Sequence, residues 1–366
     1  MRYNWLSAIQ QAILTMQTLN IIRPDDWHIH LRDNASLKLT VSLAERTFAR
    51  VLAMPNLTPP LTTVQAILNY RQRILAVAKT GYFTPYFALY FTNDLKASTL
   101  REAKECPWIL GVKLYPQGAT THSDWGIDDI NKQFENLSVM EELALPLLVH
   151  GEVTDNAIDI FDREARFIDT VLTPLQQRFP KLPIVLEHII TTEAVDWVQS
   201  MPAHIAATIT VHHLAFNRNH LLAGSLRPDY YCLPILKQHP HQQKLQQAVI
   251  SKNQSKFFLG TDSAPHVQDR KYSACGCAGC FTSSIALPLL AELFAAHEAL
   301  PLLENFTSIN GARFYQLPLN TERLSLIQSP WVVPQQYTTD DLTFIPLLAG
   351  KTLSWQCQPT EDQSNE

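Results

Sequence analysis

Eight short apolar, β-rich runs recur along the sequence, separated by longer stretches of helical pattern. This alternation limits the fold more than any other feature. The runs are Leu19–Leu31, Ala49–Pro55, Thr84–Phe91, Ile109–Tyr115, Leu145–His150, Pro183–His188, His204–Val211 and Lys256–Thr261. Helical patterns fall at Thr63–Ala78, Ile127–Leu143, Ile160–Arg178 and His241–Lys252. Strands alternating with helices favour a parallel sheet with crossover helices. Eight is the number that closes such a sheet into a TIM-like (β/α)8 barrel, whose strands are buried on both faces and so read as continuous apolar runs. No repeat, low-complexity linker or composition shift marks a second domain. We expect one barrel domain over 19–356, an N-terminal extension over 1–18 and a polar tail over 357–366.

A closed barrel needs a large apolar interior, and a chain of 366 residues that is 46% hydrophobic and 17% charged supplies one. Twenty-nine basic and 34 acidic side chains give a net charge of −5 with no basic run, which argues against nucleic acid as a partner. No apolar run approaches the roughly 18 residues of a membrane span. At the N-terminus, Leu6, Ile9, Ile13 and Leu14 fit one face of a short helix, but Gln10-Gln11 interrupts any signal-peptide centre. Met16 is an alternative start. Six cysteines are few, and three crowd into Cys275-Gly276-Cys277-Ala278-Gly279-Cys280, a poor disulfide framework. A cytoplasmic, reducing compartment is expected.

Polar, chemically capable residues stand at the C-terminal ends of the runs: His28 and His30, Asn56, Lys113, His150, His188 and Asp262. In a β/α barrel these ends converge on one face, where active sites are built. In Asp26-Trp27-His28-Ile29-His30-Leu31-Arg32 the period-two alternation turns His28, His30 and Arg32 to one side. Two imidazoles on one face make a pair of ligands to one cation. Singly, His150 and His188 read as ordinary satisfied histidines; with His28, His30 and Asp262 they form a set far more specific than any member. Lys113 is the odd one. An ammonium beside two divalent cations is strongly unfavourable in a poorly screened site, and the other ligands leave two metals short of negative charge. Carboxylation of Lys113 by carbon dioxide to a carbamate, an anion able to bridge two metals, removes both difficulties.

With these residues in hand, the sequence resembles the amidohydrolase superfamily, and within it the bacterial-type dihydroorotase family. The carrying segments are Arg23–Asp33, Met54–Asn56, Lys113–Pro116, Leu148–Thr154, Phe161–Phe167, Glu187-His188, Phe216–His220, Tyr231–Lys237, Gly260–His266 and Cys275–Phe281. They span nearly the whole chain. The resemblance implies two zinc ions per subunit, one held by His28, His30 and Asp262 and the other by His150 and His188. Carboxylated Lys113 and a hydroxide would bridge them. It further implies that Arg32, Asn56 and His266 bind a substrate carboxylate with backbone help at Ala278, and that the backbone of Leu233 meets the pyrimidine ring. Thr120 and Thr121 would sit on a loop that closes over the substrate. The implied reaction interconverts dihydroorotate and N-carbamoyl-aspartate in pyrimidine synthesis, with Asp262 as general base and acid and a homodimer as the working assembly. The chemistry agrees: two metals lower the pKa of water and polarise an amide carbonyl, a carboxylate can carry a proton to the leaving nitrogen, and a guanidinium fits a carboxylate bidentately. Gln117-Gly118 and Asp124-Trp125 in the closing loop, and the length of the N-terminal extension, depart from the family pattern.

Other motifs read more blandly. The three clustered cysteines lack an evident fourth zinc ligand and read as a glycine-shaped loop near the substrate. Adjacent His212 and His213, if on a strand, point to opposite faces, so ligation there is not expected. Glu187 is expected to face away from His188 and give indirect support, and Glu152 is assigned no chemistry. Two rivals stand beside the main reading. One is a hydantoin-type amidohydrolase, against which Arg32, Asn56 and His266 argue. The other is a non-catalytic barrel, against which the intact ligand set argues.

Overall fold

The structure, a computed structural model, describes residues 17–274 and 276–358. The readings at Leu6–Leu14, Met16 and Cys275, and most of the polar tail, lie outside them. The apolar runs become eight parallel strands: β1 (Asp25–Ile29), β2 (Arg50–Ala53), β3 (Thr84–Tyr90), β4 (Ile109–Leu114), β5 (Leu147–His150), β6 (Ile184–Glu187), β7 (Ile205–Ile209) and β8 (Phe257–Leu259). Each pairs in parallel with the next in chain order, so the sheet runs sequentially from β1 to β8. Its two edges meet. Ile29 bridges Ser263, Asp262 N donates to His28 O at 2.8 Å and His30 N donates to Ser263 O at 3.1 Å, which closes the sheet into a barrel.

Closure depends on one residue without a side chain. A Cβ on Gly260 would stand 2.8 Å from the Cβ of His28 and 2.9 Å from that of Thr208. Only glycine lets β8 come this close to the strands flanking it.

Between the strands lie the helices, several begun by threonine caps. Thr63 Oγ1 accepts from Ala66 N at 3.2 Å to start Val64–Val77, and Thr191 does the same for Ala194 N at the head of Thr192–Ser200. After β4 and β5 the regular helices begin later than the sequence pattern suggests, at Phe134 and Arg163, because polar loops rise over the mouth first. Inside the barrel Leu52, Ala88, Leu148, Val185, Ala206 and Phe258 make an apolar floor. Two residues further along their strands stand His150, Glu187, Thr208 and Gly260, since the pleat repeats every second residue. The functional mouth is therefore the next layer above the floor. At the opposite end Arg50 forks onto Asp25 (Nε to Oδ1 2.8 Å, Nη2 to Oδ2 2.5 Å), tying β1 to β2.

The first run holds two strands rather than one. Pro24, which has no N–H to donate, breaks it. Thr18–Ile22 leaves the barrel to pair antiparallel with Arg323–Ile327, which in turn pairs with Gln356–Cys357. These short strands after residue 320 carry no long apolar run, and their pairing partners lie far away in sequence.

Candidate metal centre and active site

His28 Nε2 and His30 Nε2 both point at Asp262 Oδ1, at 3.3 and 3.0 Å, and the ligand atoms of the three lie within 4.8 Å of one another. The His28 ring is 5.0 Å from that of His188, which is 4.8 Å from His150, so the four imidazoles form a continuous group. Lys113 is wholly buried beneath them, with its Nζ on Glu187 Oε2 and 4.7 Å above the Tyr115 ring. A small cavity opens above, lined by His28, His30, Arg32, Asn56, Thr120, Thr121, His188, Leu233, Asp262 and Ala278, with Tyr115, Ala264 and Gly279.

Three expected residues lie behind that lining. Lys113 is below it. His150 stacks beside His188, with its Nε2 turned 3.1 Å from Glu152 Oε2. His266 reaches the cavity through others, its Nε2 standing 3.1 Å from Arg32 Nη2 and 3.0 Å from Ala278 O. Arg32 also donates from Nε to Pro265 O at 3.0 Å. Asn56 Nδ2 donates to Thr121 O at 3.1 Å, and Tyr90 OH donates to His122 O at 3.2 Å, so the Thr120–Thr121 loop is tied down over the cavity.

Glu187 corrects the sequence reading. It points into the barrel, where Oε1 lies 3.0 Å from His28 Nδ1 and its ligand atom groups with those of His28 and His188. Val185 belongs to the interior floor, so the pleat turns Glu187 inward as well. His188 lies beyond the strand end, and its φ of 44° aims it back over the mouth. Arg32 (φ 59°) and Asp262 (φ 45°) share that left-handed conformation, which non-glycine residues hold only when their surroundings enforce it. No sequence pattern announces it. Glu152 was also missed as a partner of His150, although its position two residues beyond a strand-end histidine was a usable signal. His212 and His213 lie on the helix Val211–Ala215 rather than on a strand, with rings 4.4 Å apart.

Burial dominates the electrostatics, and local partners decide each outcome. Burial opposes the charged form of His28, but Glu187 and Asp262 outweigh it and raise its pKa to about 9. Burial lowers His30 to about 4, and burial with neighbouring cations takes His188 well down, so both are neutral donors. His188 Nδ1 is buried without a hydrogen-bond partner. Burial disfavours charge on Asp262, yet hydrogen bonds from His28 and His30 hold it well below the usual carboxylate range. Burial lowers Lys113 against the pull of Glu187, and burial followed by the nearby Arg32 takes His266 to about 2. Neutral His30 and His188 beside an ionised carboxylate, with a buried ring nitrogen left over, fit a borderline divalent metal such as zinc, which would take the place of the proton on His28.

The amidohydrolase family model matches residues 21–335. A curated dihydroorotase of Idiomarina loihiensis is 52% identical over 342 residues, covering 93% of this chain and 99% of that protein. Among solved structures, dihydroorotase from Campylobacter jejuni superposes with a TM-score of 0.86 at 35% identity, covering 94% of this chain and 98% of that one. Dihydroorotase of Saccharomyces cerevisiae in complex with 5-fluoroorotic acid gives 0.86 at 31%, covering 94% and 99%. The chain belongs to the amidohydrolase family and groups there with the dihydroorotases.

Proposed function

We propose that this chain hydrolyses the cyclic amide of dihydroorotate, reversibly, to N-carbamoyl-aspartate in pyrimidine synthesis. The observation that carries the reading is the meeting, in one cavity, of a buried His–His–Asp group with the cationic donors of Arg32 beside Asn56. His28, His30 and Asp262 would hold one zinc, His150 and His188 the other, and Lys113 as a carbamate would link them. Bound there, two zinc ions supply an activated water and a polarised amide carbonyl.

The chain's own residues do the rest. Arg32 is a partly buried guanidinium whose hydrogen bonds go to Pro265 O and His266 Nε2, neither of them negative, so its charge is available to an anion. It receives the substrate carboxylate, with Asn56 and His266 fixing the orientation. Asp262, kept ionised by its histidines, takes the proton released by the water and passes it to the departing ring nitrogen. Glu187 and Glu152 hold the rings of His28 and His150 from behind, an arrangement that fixes imidazole orientation at metal sites. The loop carrying Thr120 and Thr121 covers the cavity and excludes water from the opened product. The working form is a cytoplasmic homodimer, and no described helix is long and apolar enough to cross a membrane.

The test joins metal analysis to turnover on one purified sample. The expected result is two zinc per chain, hydrolysis of dihydroorotate in preference to hydantoin, and loss of both metal and activity on chelation with recovery on adding zinc and bicarbonate. Zinc without dihydroorotate turnover would reject the substrate, and neither metal nor turnover would reject the whole reading.

A further inference from the structure

Asp262 holds a left-handed backbone (φ 45°), which a residue with a side chain keeps only under constraint. The constraint comes from two side chains to which the proposed reaction gives no part. Asp26, on β1, is wholly buried and accepts hydrogen bonds from three neutral donors. Its Oδ1 takes His28 N at 3.2 Å and Thr261 N at 2.8 Å, and its Oδ2 takes Thr261 Oγ1 at 2.5 Å. Thr261 Oγ1 in turn accepts from Ser263 N at 3.0 Å. A carboxylate has no proton to give, so it commits the Thr261 hydroxyl proton to itself and leaves an oxygen lone pair for Ser263 N. The threonine thus arches over Asp262, making the local side-chain turn that hydroxyl residues favour. Asp26 and Thr261 lie 235 positions apart, so no spacing argument pairs them.

We propose that Asp26 and Thr261 are positioning residues for Asp262: the chain Asp26–Thr261–Ser263 holds the left-handed turn that aims the Asp262 carboxylate at His28 and His30. The same Asp26 oxygen that takes Thr261 N also takes His28 N, so one carboxylate registers the two sides of the barrel seam against each other. Across that seam His28 Nε2 and Asp262 Oδ1 stand 3.3 Å apart. Without the threonine hydroxyl, Asp262 would relax to an ordinary negative φ, a rotation of roughly 110° that carries its carboxylate away from both imidazoles.

The slack would be confined to Asp262. Ser263 is anchored independently, its Oγ accepting from Thr282 N at 3.1 Å and Ser283 N at 3.0 Å and its carbonyl accepting from His30 N. Pro265, whose carbonyl holds Arg32, lies beyond that anchor and stays in place. Loss of the strut therefore strikes proton transfer and spares substrate binding. The catalytic part of this inference rests on the function proposed above; the turn itself does not.

The experiment compares T261V, which keeps the branched shape and removes the hydroxyl, with T261S, which keeps the hydroxyl. Two readouts are taken on the full-length chain: kcat and KM for dihydroorotate with zinc supplied, and hydrogen–deuterium exchange across residues 259–264 without metal. In T261V, kcat should fall at least about thirtyfold with KM within about twofold of wild type. Exchange in that segment should quicken at least about tenfold, and T261S should stay within about threefold of wild type on every measure. Circular dichroism identifies a T261V chain that fails to fold, and D26N then decides. Its amide donates to the threonine oxygen instead of accepting from it, so kcat should drop about fivefold or more at unchanged KM. Wild-type kcat in the deciding variant, a rise in KM matching the fall in kcat, unchanged exchange, or equal damage in T261S would overturn the proposal. Should the wild type not turn over dihydroorotate, the substrate reading fails and exchange alone decides: faster in T261V but not in T261S keeps the strut, and equal exchange rejects it.

Discussion

Replacing Arg32 with methionine separates substrate recognition from folding, because the structure gives the two opposite signs. The guanidinium is partly buried, its charge disfavoured by that desolvation, and its hydrogen bonds reach only a carbonyl and a neutral imidazole. With a dihydroorotate carboxylate in the cavity it would form two charge-assisted hydrogen bonds, each contributing about 1.5–3 kcal/mol, or about 3–6 kcal/mol together. At about 1.4 kcal/mol per decade, kcat/KM for dihydroorotate should fall on the order of 10²–10⁴-fold. Methionine has similar reach and no charge, so the folded protein should lose none of its stability and is expected to gain, since a partly desolvated cation without an acidic partner is removed. The assay compares R32M and wild type on dihydroorotate and on 5,6-dihydrouracil, the same ring without the carboxylate, with Tm measured in parallel. Selective loss on dihydroorotate with Tm unchanged or raised is the expected result. An equal loss on both substrates, or a lowered Tm, would refute the reasoning by showing that Arg32 supports the site rather than the substrate.

Three further outcomes follow from the same geometry. Lys113→Ala should lose zinc and more than roughly a hundredfold of activity, with partial recovery in short carboxylic acids that can stand in for a carbamate; full activity without them would remove the carbamate from the mechanism. Zinc must displace the His28 proton, which Glu187 and Asp262 hold up to about 9, so apparent zinc affinity of the metal-free protein should rise with pH and level off above about 9. Chelator competition across that range measures it, and a flat profile would contradict the role given to Glu187. Arg50→Ala leaves Asp25 buried without its cation and should cost about 3–5 kcal/mol of stability, read by denaturant unfolding, while kcat of the folded fraction stays near wild type.

The barrel was legible because its strands are buried on both faces and its helices are amphipathic, so composition alone marks where each begins. The site was legible where chemistry coincides with a strand end, as at His28, His30, Asn56, Lys113 and Asp262. It failed at Glu187, where the alternation was continued one residue past the strand: the pleat turns Glu187 inward, while His188, which lines the cavity as expected, is brought back over the mouth by its backbone. A left-handed φ at His188 has no residue-type signature, and the same holds for Arg32 and Asp262. The strands Arg323–Ile327 and Gln356–Cys357 escaped because their partners are remote in sequence.

Barrel closure at Gly260 has a consequence for biosynthesis. The proposed ligands on either side of that seam, His28 with His30 and Asp262, come from opposite ends of the domain, and they meet only after β8 has docked against β1. A ribosome-bound chain stalled before residue 257 therefore carries both histidines yet has no mouth to hold a metal, so loading must follow the synthesis and docking of β8. Once loaded, zinc shared between His28 and Asp262 would act as a rivet across the last joint to form. Zinc supply would then set how long a newly made chain remains open.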